Sequence, residues 1–155
     1  MADMTSILTM VSSDGIELPN IYRYRCIDLN FGATANASML ATGTHNVMTL
    51  NRGEAITGGH YFVYTACTST SNDGTIQFKV GSDALGAAMT ADGTELAAGD
   101  VITLGTNDYE DAAGVAMYAK TAADTLDMVI ATHAFTAGRI LLAVQIVNIQ
   151  DLGLL

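Results

Sequence analysis

Three histidines, His45, His60 and His133, and two cysteines, Cys26 and Cys67, are the side chains best suited to a transition metal in this chain. Three imidazoles converging from separate strands would hold Zn²⁺ and leave a fourth position open for water. Their wide separations neither require nor exclude convergence, so three unrelated strand or loop histidines are expected. His133, Asp127 and a serine would spell a hydrolase triad, but serine is common enough here for such a triple to arise by composition alone. The run 107–111 (NDYED) offers Asp108, Glu110 and Asp111 as oxygen ligands for a hard cation. It lacks EF-hand spacing, and solvated loop charge is the plainer reading. No nucleophile elbow, H-E-x-x-H, C-x-x-C, phosphate loop or G-x-G-x-x-G occurs. No catalytic, metal-ligating or cofactor-binding residue is assigned, no cofactor is expected, and the chain reads as a non-enzyme. A sugar-binding platform would want exposed Trp, and there is none. Tyr22 and Tyr24 remain the one candidate pair, with burial in a core or interface the expected fate of such rings.

The elements that would position these groups belong to one domain, the size expected of 155 residues. Six basic against sixteen acidic side chains give a formal charge of −10. Nucleic acid is an unsuitable partner, because phosphates require clustered cations. Half the residues are apolar and only 14% are charged, well below the usual quarter. That composition argues against disorder and for a surface partly hidden in an assembly. No apolar run approaches the roughly 20 residues needed to span a bilayer, so no membrane is expected. Residues 1–13 lack a basic start, so no secretory signal is expected and the two cysteines are read as free, small buried hydrophobes.

The pattern is β throughout: an all-β fold, an antiparallel β-sandwich or jelly-roll-like barrel with an N-terminal arm, and at most one short helix. Strands are expected over 21–29, 46–50, 60–69, 75–80, 101–104, 115–119, 126–134 and 140–147, separated by Gly, Asn and Asp clusters. Residues 71–74 read as a hairpin turn. In 75–80, Ile76, Phe78 and Val80 face inward, and Thr75, Gln77 and Lys79 outward. The segments 126–134 and 140–147, flanking 135–138, are expected to pair as a hairpin. In the last strand Ile140, Leu142, Val144 and Ile146 share one face, yet the opposite face is also largely apolar. A strand half-buried in a monomer alternates with polar residues, so burial on both sides is expected, one side by another subunit. The map is an extended arm at 1–20, a sandwich at 21–149 and an apolar tail at 150–155. Candidate interface residues are Ile7, Leu8, Met10 and Val11 in the arm, Leu141, Ala143 and Val147 on the outward face, and Leu152, Leu154 and Leu155 in the tail, where solvated leucines would be costly.

The segments 75–81 (TIQFKVG), 99–104 (GDVITL), 124–132 (DTLDMVIAT) and 135–147 (FTAGRILLAVQIV) carry a resemblance. Over residues 60–149 the chain resembles small β-rich virion proteins of tailed bacteriophages, the capsid decoration (cement) and head-fibre or knob proteins. That resemblance implies a protein without an active site, located on the capsid surface after assembly in the host cytoplasm. Its partners would be itself, as a homotrimer, and the major capsid protein, and its task would be to cement adjacent capsomers. The alternatives are a head-fibre or tail-fibre tip contacting a host receptor and, in another class, a carbohydrate-binding or adhesion module.

Overall fold

The structure, a computed structural model, describes residues 10–11, 17–18, 22–32, 40–104 and 123–148. Every regular element among them is a β-strand. Two short strands, β1 (Met10–Val11) and β2 (Glu17–Leu18), pair with each other. A four-stranded sheet is built from β3 (Tyr22–Asn30), β5 (Glu54–Ser69), β9 (Val101–Thr103) and β11 (Phe135–Asn148), in the order β3-β11-β5-β9. A second, five-stranded sheet holds β4 (Gly43–Leu50), β6 (Thr75–Val80), β7 (Asp83–Ala84), β8 (Met89–Thr90) and β10 (Asp124–Ala131). Its order is β4-β10-β6-β7, with β8 also on β6, and every pairing in both sheets is antiparallel. The sheets are not closed into a barrel, so of the two expected architectures the sandwich is the one formed.

Alternation drives the packing. Ile76, Phe78 and Val80 of β6 are buried, while Thr75, Gln77 and Lys79 are only partly so. Leu126, Met128 and Ile130 do the same on β10, as do Ile140, Leu142, Val144 and Ile146 on β11. Each such side chain contributes roughly 1.5–3 kcal/mol when taken from water. The rings of Tyr61 and Phe78 meet between the sheets with centroids 5.4 Å apart. One end of the core is closed by charge. Glu54, 3% exposed, accepts from Arg25 Nη2 at 2.5 Å, Asn51 N at 2.7 Å and Asn51 Nδ2 at 3.1 Å, while Arg25 Nη1 donates to Thr49 O at 2.9 Å. This cluster joins β3 of one sheet to β4 of the other.

Several expectations need correction. β10 and β11 do not form a hairpin: β10 pairs with β4 and β6, β11 with β3 and β5. The chain turns between sheets at residues 132–134, where Thr132 takes φ 65° and His133 N bonds Ala131 O. The glycine in 135–138 marks a bulge inside β11 rather than a turn. Gly138 sits at φ 137°, where the register against β5 shifts, and a Cβ there would lie 2.5 Å from Cys67 Sγ. Likewise, residues 71–74 turn as expected, with Asn72 at φ 57°, but lead from one sheet to the other. These two corners touch through Thr70 N and Ala134 O, and Asp73 Oδ1 lies 2.5 Å from His133 Nδ1, out of line for a directed hydrogen bond. β5 begins at Glu54, absorbing the glycines read as a turn, because Gly59 passes against Ala143 O, where a Cβ would come within 2.7 Å. The Ala- and Met-rich segment 83–91, where a short helix would have fitted the composition, contains β7 and β8 instead; the similar segment 110–121 lies outside the described residues, as does the strand expected at 115–119.

Candidate functional site

Each sheet has one face on the core and one outward, and the two outward faces differ in chemistry. On the five-stranded sheet the outward residues of β10 and β6 are Thr125, Asp127, Val129, Thr75, Gln77 and Lys79, with Asp127 opposite Lys79 in register. That is the polar face expected of a solvated antiparallel sheet. The four-stranded sheet is different. Tyr24 is 39% exposed, Leu141 41%, Phe62 46%, Val101 53% and Tyr64 71%. Register places Asp28, Leu141, Phe62 and Val101 in one row across β3, β11, β5 and β9. The next row is Cys26, Ala143, His60 and Thr103. Strands about 4.8 Å apart make the first row a continuous apolar ridge bounded at the β3 end by one carboxylate.

That carboxylate is neutralised within the face. Arg139 Nε and Nη2 donate to Asp28 Oδ1 and Oδ2 at 2.9 and 2.7 Å, a bidentate fork. These bonds hold the Asp28 carboxyl below its ordinary pKa and raise that of the guanidinium. The guanidinium carbon also lies 5.0 Å from the centroid of the Tyr64 ring. Gln145 donates to the Tyr24 hydroxyl at 2.8 Å and accepts from Thr57 at 3.2 Å, tying three strands together at their polar end. The face is therefore apolar and internally compensated.

Of the expected interface residues, Leu141 lies in the centre of this face and Ala143 in the adjacent row. Val147 is buried in its own subunit, because the bulge between Gln145 and Ile146 turns it inward. Met10 and Val11 form β1; Ile7, Leu8, Leu152, Leu154 and Leu155 lie outside the described residues. Phe62, Tyr64 and Val101 stand on the same face without having been singled out in the sequence, and Tyr24, expected in a core or an interface, lies outside the core at 39% exposure. The signal existed: in the run 61–64 (YFVY) both alternating faces are apolar, as in the last strand, whereas only Tyr61 and Val63 enter the core.

The other candidates do not assemble. His45 on β4, its Nε2 2.8 Å from Ala41 O, His60 on β5 and His133 at the sheet-crossing corner stand apart. Among the described residues no group of three His, Cys, Asp or Glu is placed to hold a metal, and no helix is long and apolar enough to cross a membrane. The acidic run 107–111 lies outside the described residues. Both cysteines are free; Cys67 is buried, and burial pushes its thiol up to about 12, while Cys26, expected to be buried, is partly open on the apolar face. A cavity of about 200 Å³ at the seam between the sheets is walled by Tyr61, Ile76, Phe78, Leu85, Met89 and Ile102. Burial raises the Tyr61 phenol, leaving it neutral, and Gln77 on the same wall is held by Gly86 O at 2.9 Å. The walls supply no paired acid and base.

No family model matches this chain, and no curated protein matches it. Among solved structures it is similar to a chain of the acidic stable capsid structure of Helicobacter pylori bacteriophage KHP30, at 11% identity over 93% of each chain and a TM-score of 0.43. A likeness that distant determines nothing about what this chain does.

Proposed function

We propose that this chain is a non-enzymatic structural protein of a bacteriophage particle. The observation that carries the reading is the contrast between the two outward faces, one polar and one displaying Leu141, Phe62, Val101, Tyr64 and Tyr24. Contact area of that kind serves assembly rather than turnover. The resemblance of residues 60–149 to phage decoration and head-fibre proteins supplies the setting. In the finer form of the proposal the protein binds the outer capsid surface as a homotrimer, contacts the major capsid protein and cements adjacent capsomers. Its N-terminal arm and C-terminal tail reach the shell. Many copies of a modest interface then add up to shell strength.

Quantitative mass spectrometry of density-purified particles from the source phage tests the reading. The expected result is this chain at a copy number comparable to that of the major capsid protein, and its absence from the particles refutes it. Sedimentation tests the trimer, expected as a species of three 16.2 kDa chains. Deleting residues 2–19 tests the arm. The truncated protein should keep its β-sheet circular dichroism and lose binding to expanded capsids; normal decoration by it would remove the arm from the attachment.

A further inference from the structure

We infer that the outward face of the four-stranded sheet is where copies of this chain associate with one another, the row Leu141, Phe62 and Val101 lying at the centre of the contact. The inference deepens the structural-protein reading and rests on it only for the setting, not for the surface.

Area is the first argument. Side chains of these types present about 150–250 Å² each when fully open, so the observed exposures leave roughly 500 Å² of largely apolar surface. That is near the upper end of what a monomer shows as its largest patch, and more than half of the roughly 800 Å² each partner brings to a standard interface. Charge is the second argument, and it selects the occupant. The chain carries −10, so two copies repel unless the surfaces that meet are neutral. Among the described residues, the formally charged groups on this face are Asp28 and Arg139, which cancel each other in the fork. Asp73, Asp83, Asp92, Glu95, Asp100, Asp124 and Asp127 belong to other strands and turns. A face built for a basic partner would carry unpaired acid; among the described residues this one carries only Asp28, already paired with Arg139. Geometry is the third. The ridge stands on a four-stranded antiparallel sheet, and identical sheet faces stack on each other at about 10 Å with side chains interdigitated. Stacking of identical faces is the self-complementary contact of a two-fold axis; in the trimer of the proposed function the ridges of three copies instead converge on the three-fold axis, each against its two neighbours.

Cys26 supplies a native reporter. It sits one row from the ridge and is partly open, whereas Cys67 is buried with its thiol pushed up to about 12. Sedimentation equilibrium of the full chain and the rate of Cys26 reaction with a small aromatic disulfide reagent are measured together across protein concentration. The expected result is a mass that is a multiple of 16.2 kDa at micromolar concentration, with Cys26 reacting at least about tenfold more slowly there than in dilute protein. The double variant Phe62→Thr/Leu141→Thr keeps β-forming residues at both positions. It should weaken association about 100-fold or more, as expected when central anchors are removed, and restore the Cys26 rate. The milder Val101→Thr should do so to a lesser degree with the same circular dichroism. A wild-type monomer up to about 100 µM overturns the inference, as does association by the double variant with Cys26 still protected. A wild-type oligomer absent from purified particles supports this surface and removes the virion reading; a monomer present on particles does the reverse.

Discussion

Removing the Glu54 carboxylate should cost far more than an ordinary surface ion pair. Glu54 is 3% exposed and accepts three hydrogen bonds, from Arg25 Nη2, Asn51 N and Asn51 Nδ2. In Glu54→Ala the backbone N–H of Asn51 and the Arg25 guanidinium, itself 22% exposed, lose a charged acceptor in a site water reaches poorly. Breaking a buried pair by deleting one partner costs about 3–5 kcal/mol. Partial access of water to Arg25 places the expected loss near the lower end, about 3 kcal/mol. Glu54→Gln keeps an acceptor for Asn51 N and loses only the charge, so roughly half that loss is expected. At this chain length 1 kcal/mol moves Tm by about 2–4 °C, so Glu54→Ala should melt about 6–12 °C lower. Urea unfolding followed by far-ultraviolet circular dichroism at pH 7 reads the loss directly, with an unchanged m-value expected. Arg25→Met and the double variant complete a thermodynamic cycle that isolates the pair. A loss below about 1 kcal/mol for Glu54→Ala, or additive single losses, would refute the claim that Glu54 and Arg25 form a coupled, poorly solvated pair.

The Asp28–Arg139 fork makes a pH prediction. Because hydrogen bonds from Arg139 lower the folded-state pKa of Asp28, its stabilisation is present above the unfolded value of about 3.9 and is lost as pH falls through the lower folded value. The stability difference between wild type and Asp28→Asn should therefore shrink in acid, and the Asp28 titration followed by NMR should move up in Arg139→Met; an unmoved midpoint contradicts the fork. Gly138→Ala should cost about 2 kcal/mol or more in urea unfolding, since the new Cβ would sit 2.5 Å from Cys67 Sγ at φ 137°. A neutral effect would refute that close approach. A chelator should leave Tm unchanged to within about 1 °C, whereas loss of a saturated metal would lower it by many degrees.

The inward residues of β6 and β11 were legible in the sequence because side-chain direction along a strand has period two, a local property. The same rule flagged the doubly apolar last strand, and Leu141 is exposed in the middle of the outward face. What each strand pairs with is not local. Residues 71–74 and 132–138 carry turn chemistry that suits a hairpin or a crossing between sheets equally well, and packing of both sheets around one core chose the crossing. Nor does alternation say which of two apolar faces enters the core: in YFVY, Tyr61 and Val63 went in, while Phe62 and Tyr64 stayed out. Asp28 and Arg139 lie 111 residues apart in sequence, and Arg25 and Glu54 lie 29 apart. No spacing rule links such pairs, because only the sheet order β3-β11-β5 puts Asp28 and Arg139 on neighbouring strands and Arg25 and Glu54 on strands with one between them. Composition and period two thus determined that this chain folds as an apolar-cored β protein without a legible catalytic motif. Long-range pairing, bulges at Gly138 and between Gln145 and Ile146, and the placement of charge decided which side chains each outward face displays.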